Sequence, residues 1–495
     1  MPKKKLKVLF ASSEVVPFAK TGGLADVAGA LPKQLVQLGH DLRVVMPKYE
    51  TIKETKFKLR EVIRLRDIAV PLGDKVHHVS IKSAFIPDTK VQVYFMEYPD
   101  FFNRQGLYVD PQTGKDYPDN DARFMLFSRG TLEMAKILSW QPDVIHCNDW
   151  QSAVIPLYLK TLYKNDEFFR DTKTVLSIHN VGYQGNFPPS ALKIGGFPED
   201  LFYPTSPVEF YGNFSFLKAG IKFADIITTV SETYAKEIQS SPEYGNGMEG
   251  ILRDRRGDLY GILNGIDTDV WNPETDNFIA HPYSKKSLSG KLDNKKALLD
   301  QCRLKFHSQV PLIGNISRLA DQKGFDLIAE VIDQIAALDV QMVFLGTGDQ
   351  KYHDLFSAAA KKYKDKISVH LMFNNQLAHQ IEAGCDCFLM PSRYEPCGLN
   401  QMYSMIYGTV PIVRSTGGLA DTVKDVDQNP DDGTGFVFKE YNSTEMLHAI
   451  KRALKYFQDQ TAWRKLLIRG MSQDFSWLKS AKRYVEIYQL ALKKT

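Results

Sequence analysis

One glycine-containing segment occurs twice in the chain and restricts what the chain can fold into. Residues 20–27 read Lys-Thr-Gly-Gly-Leu-Ala-Asp-Val, and residues 416–421 repeat six of them as Thr-Gly-Gly-Leu-Ala-Asp. Each copy follows a short apolar run, at residues 8–11 or 410–413, and precedes a helical pattern. Glycines let a ligand approach the backbone, and a helix N-terminus presents unbonded N–H groups to an anion. One such turn is often a plain strand-to-helix connection. The matching pair predicts two similar half-molecules around one ligand.

Length, charge and composition indicate a globular protein of several domains. The 495 residues exceed one ordinary hydrophobic core. A net charge of +4 with dispersed basic residues does not predict nucleic-acid binding, and the basic run at residues 2–5 fits a solvated strand entry better than a nuclear address. No apolar run approaches the roughly 20 residues that span a bilayer, and no signal peptide is recognisable. Five scattered cysteines do not form a disulfide framework. These features favour the cytosol.

Alternating strand and helix patterns predict the fold class. Both halves of the chain show short apolar strands separated by helices, which implies parallel sheets with helices on both faces. Period-two alternation at about residues 50–100 indicates a β insertion at the edge of the first sheet. We therefore expect two doubly wound, Rossmann-like α/β domains that face each other across a cleft. The expected boundaries are 1–265 for the first domain, 266–300 for a polar, structure-poor connector, 301–475 for the second domain and 476–495 for a C-terminal helix.

Residues that follow the strands of the second half are candidates for ligand binding, since ligands bind beyond the carboxyl ends of such strands. Arg318 and Lys323 share one loop, where a guanidinium and an ammonium can converge on a phosphate, although a solvated basic loop is equally consistent with this pair. Glu395 precedes a helix whose first turn includes Gly398, which suits a sugar hydroxyl beside a phosphate, or simple helix capping. Further candidates in these loops are Gly346, Thr347, Gly348, Tyr394 and Leu399.

The first half places a second polar group at its strand ends. His146, Asn148 and Asp149 come at the end of one strand, and His179 and Asn180 at the end of another. Taken singly, Asp149 is a plausible helix cap and His179 a hydrogen-bonded core histidine. Collected at one sheet edge, these side chains outline a polar wall opposite the cationic residues of the second half.

One metal-binding pattern competes with this interpretation. Asp267-Thr268-Asp269 fits the Asp-x-Asp pattern with which metal-dependent nucleotide-sugar transferases hold a divalent ion. The match is only three residues long and lies in the expected connector. His77 and His78 alternate across a strand and cannot share an ion. We therefore expect no metal and no other cofactor.

With these motifs in place, the chain resembles the bacterial glycogen synthase and plant starch synthase family over nearly its full length. The resemblance implies the GT-B fold, in which the C-terminal helix crosses back to the first domain. It also implies transfer of glucose from ADP-glucose to the non-reducing 4-hydroxyl of an α-1,4-glucan such as glycogen, with retention of configuration and without a metal. The matching segments are residues 20–27, 146–150, 177–180, 263–267, 317–324, 395–399 and 416–421.

The resemblance assigns roles to the candidates. Arg318 and Lys323 would neutralise the diphosphate leaving group, which is electrostatic stabilisation of developing charge. Glu395 would hold the transferred glucose, while His179 and Asp149 would line the glucose side. The departing phosphate itself would help to deprotonate the acceptor. The remaining donor-side candidates are Lys20, Gly22, Gly23, Asn264, Thr416, Gly417 and Gly418.

The chain departs from the family pattern in two places. Gln151 stands where many members carry histidine, and residues 372–376 lack the usual acidic residue before the helix. Three alternatives stay open: the same fold with UDP-glucose or another acceptor, a glucan-binding protein without activity, and a metal-dependent transferase that uses Asp267 and Asp269. The sequence leaves the oligomeric state open.

Overall fold

The computed structural model describes residues 5–494, so Pro2, Lys3 and Lys4 of the basic run lie outside the described residues. The chain forms two compact units. Unit 1 contains the residues up to Val230, Ala235–Gly265 and the residues from Trp477 onward, and unit 2 contains Ser231–Tyr234 and Ile266–Ser476. No helix within residues 5–494 combines the length and the apolar character needed to cross a membrane.

The strands and helices follow in chain order. The strands are β1 (Lys7–Ala11), β2 (Asp41–Pro47), β3 (Arg60–Glu61), β4 (Ile68–Leu72), β5 (Lys75–Phe85), β6 (Gln92–Glu97), β7 (Val144–Asn148), β8 (Lys173–Ile178), β9 (Asn186–Phe187), β10 (Glu209–Phe210), β11 (Asn213–Ser215), β12 (Ile226–Thr229), β13 (Leu259–Gly261), β14 (Leu312–Ile316), β15 (Gln341–Leu345), β16 (Ile367–His370), β17 (Cys387–Met390), β18 (Val410–Arg414) and β19 (Phe436–Phe438). The α-helices are α1 (Gly23–Gln37), α2 (Glu54–Phe57), α3 (Pro99–Phe102), α4 (Asn120–Ile137), α5 (Ile155–Lys160), α6 (Ala191–Gly195), α7 (Phe216–Phe223), α8 (Glu232–Glu237), α9 (Pro242–Gly245), α10 (Glu249–Asp254), α11 (Ser289–Gln301), α12 (Phe325–Ala337), α13 (Gln350–Lys362), α14 (Asn375–Gly384), α15 (Asn400–Ile406), α16 (Gly417–Thr422), α17 (Ser443–Phe457), α18 (Gln460–Met471) and α19 (Trp477–Ala491).

Unit 1 is built on a ten-stranded sheet in the order β13-β12-β8-β7-β1-β2-β6-β5-β3, with β4 paired to β5. The strands from β13 to β6 are parallel, whereas β5 runs antiparallel to its neighbours. The central strand β1 is buried from Val8 to Ala11, as expected of a parallel strand that is covered on both faces and needs a continuous apolar run. The short strands β9, β10 and β11 form a separate antiparallel sheet.

Unit 2 contains a six-stranded, wholly parallel sheet in the order β16-β15-β14-β17-β18-β19. Its hydrophobic core joins the sheet to the flanking helices, with Phe325, Phe356, Ile412 and Ile450 among the fully buried members. Helix α17 begins where the Asn442 side chain accepts a hydrogen bond from the N–H of Glu445, a standard N-terminal cap. The prediction of two doubly wound α/β sheets is therefore confirmed.

The C-terminal helix α19 belongs to unit 1, where it packs against α1. The Tyr488 hydroxyl lies 2.7 Å from Nδ1 of His146, and the Ser480 hydroxyl donates to the carbonyl of Leu263. A Cβ on Gly265 would lie 2.6 Å from the Trp477 backbone, so the helix start needs a glycine there. The predicted return of the last helix to the first domain is confirmed.

The expected structure-poor connector at residues 266–300 needs correction. These residues belong to unit 2, and their last part forms α11. This helix buries Lys291, Asn294 and Lys295 beside Leu298. Its sequence therefore lacks the apolar stripe that normally marks the buried face of a helix. The Lys291 ammonium donates to backbone carbonyls and to the Thr409 hydroxyl at 2.8–3.1 Å, which satisfies the buried charge.

Candidate active site

The winding of the unit 2 sheet changes direction between β14 and β17, the point at which ligands bind in open α/β sheets. A cavity of about 150 Å³ lies beyond the carboxyl ends of these two strands. Five of the sequence candidates line it. The full lining is Asn315, Ile316, Ser317, Arg318, Lys323, Met390, Ser392, Glu395, Gly398, Leu399 and Asn400.

An ion pair forms the most polar part of this cavity. The Lys323 Nζ lies 2.5 Å from Oε2 of Glu395, and the Ser392 hydroxyl donates to the same oxygen at 3.1 Å. The Glu395 side chain is 8% exposed and that of Lys323 20%. The carboxylate is thus fixed while the ammonium still faces solvent. Such a pair can offer a cation to a phosphate and a carboxylate to a sugar hydroxyl.

Arg318 lies on the rim of the cavity. Its Nη2 donates to Oε1 of Gln322 at 3.4 Å, and Nε2 of Gln322 donates to the carbonyl of Tyr394 at 3.3 Å. The contact of Tyr394 in this network is therefore made by its backbone. The side chain of Arg318 is exposed, so its guanidinium is accessible to an anion.

Sequence reasoning missed the two asparagines of the cavity. Asn315 lies inside β14, and its Nδ2 donates to the carbonyl of Leu389 at 2.8 Å while Oδ1 is buried without a hydrogen-bond partner. The Asn400 Nδ2 donates to the carbonyl of Ile316 at 2.8 Å. A polar residue within an otherwise apolar, buried strand was the available signal for Asn315.

The remaining candidates of unit 2 shape the backbone around the cavity. Cβ atoms added to Gly346 and Gly348 would lie 1.9 Å from the carbonyl oxygen of Ser317 and 2.3 Å from that of Leu319. The carbonyl of Thr347 accepts the N–H of Leu319 at 3.0 Å. This glycine turn is thus closely packed against the loop that carries Arg318.

The second glycine copy packs against the loop that carries Glu395. Cβ atoms added to Gly417 and Gly418 would lie 1.9 Å from the carbonyl oxygen of Glu395 and 2.0 Å from that of Cys397. The N–H of Gly418 donates to the carbonyls of Glu395 and Pro396, both at 3.2 Å, and Thr416 is fully buried. These glycines allow one backbone segment to contact another.

In unit 1 the winding reverses between β1 and β7, and the predicted polar residues gather there. Asp149 has a positive φ of 52°, and its Oδ1 accepts the backbone N–H of His179 at 2.7 Å. Nε2 of His179 lies 2.9 Å from Oδ1 of Asn148. Burial raises the pKa of Asp149 to about 7 and lowers the pKa of His179 to about 3. Asp149 can therefore exchange a proton near neutral pH, while His179 stays neutral.

His146 lies in the core, away from the open edge at which the sequence places it. Its Nδ1 lies 2.7 Å from the Tyr488 hydroxyl and its Nε2 lies 2.7 Å from the Ser177 hydroxyl, so both ring nitrogens are satisfied. The residue is fully buried, and burial lowers its pKa to about 3. A side chain in the middle of a parallel strand points into the layers beside the sheet, which is why His146 is a structural residue.

A carboxylate that sequence reasoning missed holds the first glycine copy. Glu14 accepts the backbone N–H of Thr21 at 2.5 Å, the Thr21 hydroxyl at 2.6 Å and the N–H of Gly22 at 3.2 Å. The Tyr108 hydroxyl donates to the same side chain at 2.8 Å. An acidic residue between a strand and a glycine turn was the available signal. The ammonium of Lys20 contacts Oδ1 of Asp26 at 2.7 Å.

Space is left around this first copy. A Cβ added to Gly22 or Gly23 would meet no atom within 4 Å. Elsewhere in unit 1, Oδ1 of Asn264 and Oε1 of Gln151 are buried without hydrogen-bond partners. Buried polar atoms in native proteins are rarely left unpaired, so these two are available to a bound group or to water.

The aspartates of the metal-binding pattern form a local turn. Oδ1 of Asp267 accepts the N–H of Asp269 at 3.1 Å. Among residues 5–494, no group of three or more histidine, cysteine, aspartate or glutamate side chains is arranged to hold a metal ion.

Comparisons with known proteins cover both units. A family model described as the starch synthase catalytic domain matches residues 7–254, and a model for glycosyl transferases group 1 matches residues 301–465. Glycogen synthase of Koribacter versatilis is 49% identical over 98% of both chains. Glycogen synthase of Thermotoga maritima is 46% identical over 99% of both chains.

Solved structures agree with these matches. The catalytic domain of starch synthase IV from Arabidopsis thaliana superposes with a TM-score of 0.89 at 34% identity, covering 99% of this chain and 100% of that one. Sucrose-phosphate synthase from Thermosynechococcus elongatus, with a TM-score of 0.57 at 15% identity, is similar in fold alone. The chain therefore belongs to the glycogen synthase and starch synthase family of glycosyltransferases, which have the GT-B fold.

Proposed function

We propose that the chain is an ADP-glucose-dependent glycogen synthase, which transfers glucose to the non-reducing 4-hydroxyl of an α-1,4-glucan with retention of configuration. The observation that carries this is the cavity at the switch point of unit 2, where Lys323, Glu395 and Arg318 meet. A phosphate-binding cation and a sugar-binding carboxylate within one cavity suit a nucleotide sugar. Starch synthase IV of Arabidopsis thaliana was solved with ADP and acarbose bound, which supports the same choice of donor and acceptor.

The geometry supports a specific division of labour in unit 2. Arg318 and Lys323 stabilise the negative charge that develops on the diphosphate as the glycosidic bond breaks. Glu395, held by Ser392, hydrogen-bonds the hydroxyls of the transferred glucose. The departing phosphate oxygen takes the proton of the attacking hydroxyl on the same face. The backbone around the cavity positions Arg318, Lys323 and Glu395. The residues that contribute this backbone are Gly346, Thr347, Gly348, Tyr394, Gly398, Leu399, Thr416, Gly417 and Gly418.

Unit 1 supplies the remaining groups in this proposal. Lys20 and the backbone at Gly22 and Gly23 serve as further phosphate ligands, since the space around these glycines is open. Asp149 and His179 bind sugar hydroxyls, and the unpaired Oδ1 of Asn264 accepts from another. Because burial lowers the pKa of His179, its imidazole stays neutral near pH 7, and we assign the side chain a hydrogen-bonding role.

Nucleotide release with glycogen as primer tests the proposal. ADP-glucose and UDP-glucose are each compared with and without EDTA. We expect fast ADP release that requires the primer and is insensitive to EDTA. Release only from UDP-glucose would retain the transferase and overturn its donor. Activity that EDTA abolishes and manganese restores would favour metal-dependent transfer through Asp267 and Asp269, and silence with both donors would favour a glucan-binding protein.

A further inference from the structure

Glu14 lies between β1 and the first glycine copy, and its carboxylate is surrounded by hydrogen-bond donors. Its Oε2 accepts the backbone N–H of Thr21 at 2.5 Å and that of Gly22 at 3.2 Å. Its Oε1 accepts the Thr21 hydroxyl at 2.6 Å and the Tyr108 hydroxyl at 2.8 Å. A carboxylate offers about four lone-pair directions, so these donors use its whole accepting capacity. Since Glu14 is also only 4% exposed, it can influence a ligand only through the groups that it holds.

The protein fixes Glu14 at both its backbone and its side chain. The Ser12 hydroxyl donates to the carbonyl of Glu14 at 2.6 Å, and the N–H of Ser12 donates to the carbonyl of Val45 in β2 at 3.0 Å. The Tyr108 hydroxyl, which contacts the carboxylate, also lies 2.7 Å from the hydroxyl of the fully buried Ser13. A group that positions a binding site must itself be held by its neighbours. These contacts join Glu14 rigidly to the sheet of unit 1.

The hydrogen bonds to Glu14 divide the N–H groups around the start of α1 into two sets. Those of Thr21 and Gly22 are directed at the carboxylate. Those of Gly23 and Leu24 belong to the first turn of the helix, where N–H groups have no partner within the helix. A Cβ added to Gly22 or Gly23 would meet no atom within 4 Å, so one side of this turn is open. Glu14 thus fixes one set of N–H groups and leaves the other set to an anion.

We propose that Glu14 is a positioning residue for binding of the donor diphosphate. By holding the N–H groups of Thr21 and Gly22, it keeps the first copy in the conformation that presents the N–H groups of residues 23 and 24 to a phosphate. This inference rests on the proposed function, because that function makes a nucleotide sugar the ligand. The carboxylate acts through its hydrogen bonds, while its negative charge opposes a phosphate nearby. Contacts made equally in the ground state and the transition state change KM and not kcat, so Glu14 should control the affinity for the donor.

Two substitutions separate the geometry of this carboxylate from its charge. In Glu14→Gln the amide oxygen accepts the two backbone N–H groups, and the amide N–H₂ donates to the hydroxyls of Thr21 and Tyr108, which also act as acceptors. Glu14→Asp keeps the charge, but its side chain is one methylene shorter and does not reach all of these donors. We expect the KM for ADP-glucose to equal or fall below the wild-type value in Glu14→Gln and to rise about tenfold in Glu14→Asp, with kcat changed less than about threefold in both.

Hydrogen–deuterium exchange measures the same effect without any reaction. Exchange in the peptide that contains residues 20–24 should be about tenfold faster in Glu14→Asp than in the wild type and unchanged in Glu14→Gln, because only the aspartate releases the N–H groups. Glu61→Asp is the matched control, since Glu61 forms an exposed ion pair with Arg66 in the same unit. This control should change neither the exchange of residues 20–24 nor the KM for ADP-glucose.

Three results would overturn the positioning role of Glu14. One is an unchanged KM for ADP-glucose in Glu14→Asp, and another is an equal rise of this KM in Glu14→Gln, which would assign the effect to charge. The third is an equal rise in Glu61→Asp. Absence of nucleotide release by the wild type with ADP-glucose and glycogen would instead overturn the proposed function, and the exchange of residues 20–24 would still decide whether Glu14 fixes this turn.

Discussion

The two copies of the Thr-Gly-Gly-Leu-Ala-Asp segment contain the same residues, yet their glycines are needed for different reasons. In unit 1, Cβ atoms on Gly22 and Gly23 would meet no atom within 4 Å. In unit 2, Cβ atoms on Gly417 and Gly418 would lie about 2 Å from backbone carbonyl oxygens. The first copy is open to a ligand, whereas the second copy is filled by the protein itself.

The flanking residues of the copies show the same difference. Thr21 is exposed and its hydroxyl contacts Glu14, while Thr416 is fully buried. Helix α1 after the first copy has 15 residues, and α16 after the second has six. A short motif therefore indicates a backbone conformation, and its surroundings determine whether a ligand or another loop occupies the space beside it.

The largest expected effect is that of Gly418→Ala. The new Cβ would lie 2.0 Å from the carbonyl oxygen of Cys397, so the loop of residues 395–398 would have to move. We expect a loss of about 3–4 kcal/mol in the free energy of unfolding and a near-complete loss of activity. Calorimetry and a turnover assay measure both. A wild-type melting temperature would show that the loop is not fixed by the second copy.

Removal of the charge of Lys323 or of Glu395 should affect chemistry more than folding. We expect Lys323→Ala and Glu395→Ala each to reduce turnover about 100-fold or more while the protein stays folded. Lys362→Ala is a control, because Lys362 forms an exposed ion pair with Asp333 in the same unit. Near-normal turnover in either site variant would remove that residue from the proposed mechanism.

Gly23→Ala tests whether the open copy faces the donor. Nothing lies within 4 Å of the new Cβ, and alanine is a better helix former than glycine, so stability should be unchanged or slightly higher. The methyl group would obstruct a phosphate at the helix start, and we expect the KM for ADP-glucose to rise about tenfold. An unchanged KM would mean that the first copy does not approach the donor.

The fold was predictable wherever burial left a simple pattern. Strand β17 and the Val8–Ala11 part of β1 are continuous apolar runs, because parallel strands are covered on both faces. Helix α11 was not predictable, since it buries lysines that hydrogen-bond distant carbonyls. Helix α18 was predictable, because its buried residues Trp463, Leu466, Leu467 and Gly470 keep helical spacing. That signal was present in the sequence.

The site residues on loops that directly follow strands were predictable from the sequence. Contacts between residues that are far apart in the sequence were not. The cavity contains Arg318, Lys323 and Glu395 because the carboxyl ends of adjacent parallel strands meet. The contact between Glu14 and Tyr108 joins residues 94 positions apart. The packing of Gly418 against Cys397 was likewise not predictable from sequence spacing. One sequence alone therefore does not show whether the space beside a glycine is taken by a ligand or by another loop of the protein.

The dependence of stability on pH provides a test in unit 1. The Glu14 carboxylate, which accepts hydrogen bonds from the first copy, also helps to raise the pKa of Asp149. Burial, with a further contribution from the Glu14 carboxylate, raises the pKa of folded Asp149 to about 7, against about 3.9 when unfolded. The stabilising effect of its proton is complete below about pH 4 and is lost as the pH rises through 7.

Asp149→Asn removes this dependence. We expect the variant to be as stable as the wild type at pH 4 and to become more stable than it by up to about 4 kcal/mol at pH 8, because a shift of about three pKa units corresponds to about 4 kcal/mol. The buried His146 and His179 occur in both proteins, so their effects cancel in this difference. Denaturant unfolding at a series of pH values measures it, and a difference that does not change with pH would contradict the raised pKa.

The smallest expected effect concerns the aspartates that end the two copies. Asp421 accepts the N–H of Thr233 at 3.0 Å and its hydroxyl at 2.5 Å, whereas Asp26 contacts the exposed ammonium of Lys20. Two directed hydrogen bonds to a carboxylate are stronger than a solvated ion pair, so Asp421→Asn should cost about 1 kcal/mol and Asp26→Asn about 0.5 kcal/mol or less. Added salt should weaken the effect of Asp26→Asn and leave that of Asp421→Asn nearly unchanged, because only the ion pair of the open copy depends on screening. Equal losses with equal salt dependence would mean that the two copies are fixed in the same way, and the contrast between an open and a filled turn would then rest on the glycines alone.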